Sequence, residues 1–140
     1  MLGLCFGGQV LAVALGGTVG PSDQPELGWI EVDSDEPDLI PSGPWLAWHR
    51  HRFTVPPAAE EIARNAAAPQ AFRLGPHLGT QFHPESTVEI VSGWASRDGL
   101  DTSHLQVGAD QRAVAARHAH QLFDGFLAGA RERGAPDVAA

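Results

Sequence analysis

Seven residues near the start, Gly3-Leu4-Cys5-Phe6-Gly7-Gly8-Gln9, constrain this chain more than any other stretch. A short apolar run from Met1 to Leu4 meets Gly7 and Gly8 at once, and Gln9 to Leu15 then carries apolar residues that fit a buried helix. The reading is strand, tight turn, helix, with Cys5 at the turn. That is the nucleophile-elbow pattern, with Cys where hydrolases carry Ser. Such a turn strains the backbone at the nucleophile, and the residues two positions either side must be small for strand and helix to approach; Gly3 and Gly7 meet that need. Cys5 then sits at a helix N-terminus, where unpaired N–H groups and the helix dipole favour thiolate over thiol. The Phe6 N–H points at a developing oxyanion. Taken alone, the segment also reads as turn glycines around a small buried cysteine. Its glycine spacing does not match the GxGxxG dinucleotide loop.

A cysteine nucleophile needs a base that takes its proton and later protonates a leaving amine, and histidine is the usual choice. Of the seven histidines, His83 stands out. It follows the apolar strand Leu78 to Phe82, is fixed by Pro84, and has Glu85 two residues on. A carboxylate that close can accept the other imidazole N–H and set the tautomer. Without the elbow, a histidine at a strand end is more often structural.

Along the rest of the chain, Gly16 and Gly17 end the first helix and Pro21 to Pro25 read as a polar loop. Leu27 to Val32 reads as a strand, Pro37 to Pro44 as a turn-rich segment, and Trp45 to Thr54 as another loop or short strand. Glu60 to Ala66 and Gln70 to Leu74 read as strands around a turn at Pro69, with a third strand from His77 to Phe82. Val88 to Ala95 is a short helix. Asp110 to Arg133 is a longer amphipathic one, with Val114, His118, Leu122, Phe123, Phe126 and Leu127 on one side. Residues 134–140 are expected to form a flexible tail. The acidic run Glu31, Asp33, Asp35 and Glu36 reads most simply as a solvated loop. His49 and His51, two apart on one strand face, suggest a metal pair, but no third ligand of suitable spacing is evident, and a polar cleft lining is the simpler reading.

In that order, GlyLeuCysPheGlyGlyGln and GlyThrGlnPheHisProGlu closely resemble the two signature segments of class I glutamine amidotransferases, the ammonia-supplying domains related to that of GMP synthase. Glu26-Leu27-Gly28-Trp29 and Trp48-His49 extend the resemblance over roughly Met1 to Arg97. It implies a Cys5-His83-Glu85 triad, a glutamyl thioester on Cys5, Phe6 and Gln9 at the bound glutamine, and a synthetase partner that accepts the ammonia. No cofactor or metal is expected. The implied fold is α/β, a partial three-layer αβα sandwich with a mostly parallel central sheet of the flavodoxin-like amidotransferase type. Residues 1–133 would be the C-terminal part of such a domain. Family domains place several strands and helices before the elbow, so the resemblance implies that about half a domain is absent. The absent part includes the loop that supplies the second oxyanion N–H. A hydrolase of other gamma-glutamyl compounds, or an inactive truncated remnant, are the alternatives. Where such proteins often read Trp-His-x-Asp, this chain has Trp48-His49-Arg50-His51, with a histidine at the place of that Asp.

Bulk properties exclude more than they assign. Nine basic against 17 acidic residues give a net charge of −8, leaving no basic stripe to neutralise a phosphate backbone, so nucleic acid is not an expected partner. The 140 residues, 43% hydrophobic and 19% charged, fit roughly one domain. A single cysteine cannot form an internal disulfide and fits a reducing cytoplasm. The apolar run Val10 to Gly17 lacks a basic region before it and falls far short of the ~20 residues that span a bilayer, so neither a secretory leader nor a membrane anchor is expected.

Overall fold

A computed structural model describes residues 1–134, and the tail expected over 134–140 lies outside them except for Gly134, which closes the last helix. The chain runs β1 (Leu2–Leu4), α1 (Phe6–Ala14), β2 (Val19–Ser34), β3 (Gly43–Phe53), β4 (Glu60–Arg64), β5 (Pro69–Leu74), β6 (His77–Thr80), α2 (Val88–Arg97), a 3-10 turn (Ser103–Leu105) and α3 (Ala109–Gly134). The six strands form one sheet in the order β1-β6-β5-β4-β2-β3.

The α/β class is as expected, and the strand directions correct the mostly parallel sheet. Only β1 and β6 pair in parallel, with Leu2, Gly3 and Leu4 opposite Leu78, Gly79 and Thr80. All other neighbours are antiparallel. The cause is connection length. Parallel neighbours need a crossover of a dozen or more residues, whereas β4, β5 and β6 follow one another through short turns that return the chain on itself. Gly75, at φ 55°, makes the tightest of these, between Leu74 and its partner His77.

Two further readings change. The Pro21 to Pro25 loop is absorbed into the 16-residue β2, whose pairing with β3 shifts register between Pro21 and Glu26; proline lacks a ladder N–H, and a bulge is where a strand tolerates it. The loop or short strand expected over Trp45 to Thr54 lies, as far as Phe53, in the 11-residue β3, because a long antiparallel partner supplies the pairing that local sequence does not advertise. The acidic run is the end of β2 and the turn after it, with Glu31, Asp33 and Asp35 exposed as expected; Asp35 pairs with Arg64, and Glu36 with Arg73 at 2.5 Å.

Consecutive strand residues face opposite sides of a sheet, and β5 shows what each side meets. Ala71 joins Val32, Ile62, Leu78, Phe82 and Leu122 in a core that α3 closes with Phe123 and Phe126. Phe72 joins Phe53 and the α1 residues Leu11 and Ala12, with the two rings edge to face at 5.1 Å. α1 and α3 therefore flank the sheet as two outer layers. Leu127, expected on the packed stripe of α3, is 50% exposed. A third cluster sets α2, through Val88, Val91 and Ala95, against Leu46 of β3. Thr87 caps α2 by accepting from the Ile90 N–H, with Glu89 in the first turn and Arg97 in the last, each favourable to the helix dipole.

Candidate active site

The parallel pairing of β1 with β6 positions the site. Both strands point the same way, so the residues that follow them leave the sheet at one edge. Cys5 follows β1, and its N–H donates to the Thr80 carbonyl at the end of β6, at 2.9 Å. Three residues after Thr80 the chain reaches His83, whose N–H donates to the Leu46 carbonyl of β3 at 2.8 Å. Strand ends far apart in sequence thus deliver a thiol and an imidazole to the same place.

At Cys5 the backbone adopts φ 45°, ψ −105°, and it is the only non-glycine residue with positive φ among those described. This is the strained elbow expected from the glycines around it. The close approach falls on Gly3 and Gly8. A Cβ on Gly3 would lie 2.5 Å from the Gly7 carbonyl oxygen, and one on Gly8 would run into the Thr80 carbonyl. Gly7, expected to share the close approach, has open space where its Cβ would be. α1 starts at Phe6, so the first N–H groups after Cys5 have no intrahelical acceptor. Cys5 itself is buried at 7% exposure.

His83 Nδ1 lies 2.6 Å from Glu85 Oε1, with side-chain exposures of 13% and 41%. With Nδ1 taken by the carboxylate, Nε2 is the nitrogen left for the sulfur. Burial alone would lower the imidazole's pKa, but hydrogen bonds to Cys5 and Glu85, and their charges, outweigh it and raise the value to about 9. Glu85 moves the other way: burial raises it, and the bond to His83 brings it below the ordinary carboxylate value. The Trp94 ring stands 5.0 Å from the imidazole. A cavity of about 310 Å³ opens beside the pair, walled by His83, Glu85, Trp29, Trp45, Leu46 and Arg112.

Cys5, His83 and Glu85, singled out from sequence, are therefore brought together. Phe6 contributes its main chain beside Cys5 and turns its ring outward, 75% exposed. Gln9 points inward at 8% exposure, donating from Nε2 to the His51 carbonyl at 2.9 Å and towards Gln81 Oε1 at 3.5 Å. His49 and His51 do not act as a pair: His51 is exposed, while His49 Nε2 lies 3.2 Å from Glu26 Oε2 in the interior. Among the described residues no three His, Cys, Asp or Glu side chains gather as metal ligands would.

Two buried features were not read from sequence. One is the set around Glu26, which receives Asn65 Nδ2 at 2.5 Å and Gln70 Nε2 at 2.8 Å. Burial pushes Glu26 up, while His49, Asn65 and Gln70 more than offset this and hold it below the usual value. The other is Gln81, fully buried, whose Nε2 donates to Cys5 Sγ at 3.8 Å. A carboxamide between the apolar residues of β6 and Phe82 was the available signal, since a buried amide without partners is costly.

The family model described as glutamine amidotransferase class-I matches residues 1–91. The chain is 42% identical over 94 residues to a glutamine-hydrolysing GMP synthase subunit from Ignicoccus hospitalis, covering 61% of this chain and 50% of that protein. Against the protein of the same description from Sulfurisphaera tokodaii it is 39% identical over 93 residues, covering 60% and 50%. The chain thus spans about half the length of these curated relatives. A crystal structure of a glutamine amidotransferase from Methylobacillus flagellatus superposes with a TM-score of 0.78 at 27% identity, over 91% of this chain and 62% of that one.

Proposed function

This chain belongs to the class I glutamine amidotransferase family, and from that premise we propose that it hydrolyses the side-chain amide of glutamine, with Cys5 as nucleophile, His83 as proton carrier and Glu85 as the group that orients His83. The single observation that carries the reading is the strained turn at Cys5 set beside a His83–Glu85 pair 2.6 Å apart.

At neutral pH a His83 with its pKa near 9 holds a proton, the state that results when it has taken the thiol proton of Cys5. The thiolate attacks the amide carbon, and the oxygen takes up negative charge facing the Phe6 N–H. His83 gives its proton to the amide nitrogen as the C–N bond breaks, so ammonia leaves and a glutamyl thioester remains on Cys5. Water then attacks the thioester carbon and gives a proton to His83, and glutamate leaves as the C–S bond breaks. Glu85 keeps Nδ1 occupied throughout, leaving Nε2 for the sulfur, the leaving nitrogen and the water in turn. Gln9 contacts the bound glutamine through the end of its carboxamide not held by His51. That the relatives from Ignicoccus hospitalis and Sulfurisphaera tokodaii are named as GMP synthase subunits supports a synthetase as the acceptor of the ammonia. Among the described residues no helix is long and apolar enough to cross a membrane. The lone thiol suits the reducing cytoplasm, where we place the reaction.

The test is glutamine-dependent release of equal amounts of glutamate and ammonia by the purified chain, beside Cys5→Ala. Release that disappears with Cys5→Ala supports the assignment. Release that survives the substitution ends it, and turnover of gamma-glutamyl amines in preference to glutamine would change the substrate. Turnover seen only in a longer polypeptide matching the full length of the relatives would assign the activity to that larger unit.

A further inference from the structure

Gln81 occupies a place that packing alone does not explain. It is fully buried, in a run where Leu78 and Phe82 are core residues, and a leucine would fill the same volume with no amide to desolvate. What the carboxamide does there is visible in its contacts. Its Nε2 donates to Cys5 Sγ at 3.8 Å, and its Oε1 faces Gln9 Nε2 at 3.5 Å. The main chain beneath it is pinned by its N–H donating to the Gln70 carbonyl at 2.8 Å, and Gln70 is itself tied to Glu26 through Nε2. Gln9 is pinned in turn, from the His51 carbonyl. The amide is thus held on both sides and presents N–H to sulfur.

We propose that Gln81 is a positioning residue for the nucleophile: its N–H₂ group holds Cys5 Sγ as a thiolate in the attacking rotamer, and its carbonyl ties the sulfur's position to Gln9. The proposal rests on the reading of Cys5 as the nucleophile. A neutral donor suits this task. It stabilises charge on sulfur without placing a second cation beside His83, and it leaves His83 free to carry the proton. Hydrogen bonds to a charged group contribute about twice what neutral ones do, so the loss of this one is visible in the reactivity of the thiol.

The experiment follows alkylation of Cys5 by iodoacetamide in the 140-residue chain, read by mass spectrometry from pH 5 to 10. It needs no glutamine, so it is separate from the turnover assay: glutamate release that survives Cys5→Ala sinks the proposed function, and an unchanged alkylation curve sinks this inference. Gln81→Met keeps the length of the side chain and removes the donor. It is expected to slow alkylation about tenfold at pH 7 and to displace the rate–pH curve to higher pH, with the rate recovered in alkali. Gln81→Glu keeps the acceptor for Gln9 but sets a carboxylate against the sulfur, and its effect is expected to be larger. A role in packing alone would leave the alkaline rate and the neutral rate changed together or not at all. Should Gln81→Met fail to fold, Gln81→Glu decides. A curve for either folded variant that superposes on the parent's overturns the proposal.

Discussion

The Glu85 carboxylate supports His83 in two ways, by geometry and by charge, and a single substitution separates them. Glu85→Gln leaves a side chain of the same shape that can still meet Nδ1, but without the negative charge that, with Cys5, holds the imidazole's pKa at about 9. The value then falls towards 6.5, so at pH 8 less of the enzyme has the proton that the leaving nitrogen needs. The expected result is a loss of about 100-fold in kcat near neutrality, with the alkaline limb of the kcat–pH curve moved to lower pH. An unshifted limb would mean that Glu85 acts only as a steric prop. The three residues behind this prediction were legible in the sequence because each announces itself locally: a cysteine between elbow glycines, and a histidine with proline and glutamate directly after an apolar strand. Gln81 and the Glu26–His49 pair were not, because what gives them meaning is distant in sequence. Gln81 and Cys5 are 76 positions apart, and His49 becomes a buried partner only once β2 and β3 are zipped together. The polar cleft lining read for His49 and His51 missed the burial of His49 for the same reason, since strand periodicity places both on one face and says nothing about the carboxylate waiting for one of them.

At the scale of the element, α1 and its entry turn make the same substitution act in opposite directions. Gly7 has open space at its Cβ position, so Gly7→Ala adds a helix-favouring residue without a clash and is expected to stabilise by about 0.5–1 kcal/mol. Gly8 faces the Thr80 carbonyl, so Gly8→Ala forces α1 away from the end of β6 and is expected to cost about 3 kcal/mol. Urea unfolding of the two variants beside the parent measures both, and equal effects would refute the packing just described. From sequence the elbow was placed correctly and the close approach one residue early, because the glycine count at the turn is visible whereas the direction in which the β6 carbonyl points is not. The same division holds elsewhere. Strands with short turns between them, β4 to β6, were legible from their apolar runs and punctuation. The long β2–β3 ribbon was not: its prolines read as breakers until a bulge places them where no ladder N–H is needed.

For the whole molecule, class, layers and strand direction all came with the resemblance; class and layers hold, but the mostly parallel sheet does not, since the short connections in this chain dictate antiparallel pairing. What the assembled fold adds is a set of charges whose proton affinities depend on being folded, and these shape stability against pH. Glu26 and Glu85 are held below the usual 4.5 in the folded chain, so their contribution is present above 4.5 and is lost as pH falls through the lowered values. His83 is raised from 6.5 to about 9, so its contribution is complete below 6.5 and is lost as pH rises through about 9. Because the proton on His83 is the one taken from Cys5, folding gains no proton near neutrality, so urea midpoints measured from pH 3 to 10 are expected to fall in acid, stay level through neutral pH and decline towards pH 9 and above. His83→Gln should flatten the alkaline decline and, by freeing Glu85, soften part of the acid limb, while Glu26→Gln should soften the acid limb and leave the alkaline one. An imidazole of His83 that titrates at or below 6.5 in the folded chain, followed by NMR, would show that it is not held in its charged form by Cys5 and Glu85, and would remove the physical basis for the thiolate–imidazolium pair on which the catalytic reading depends.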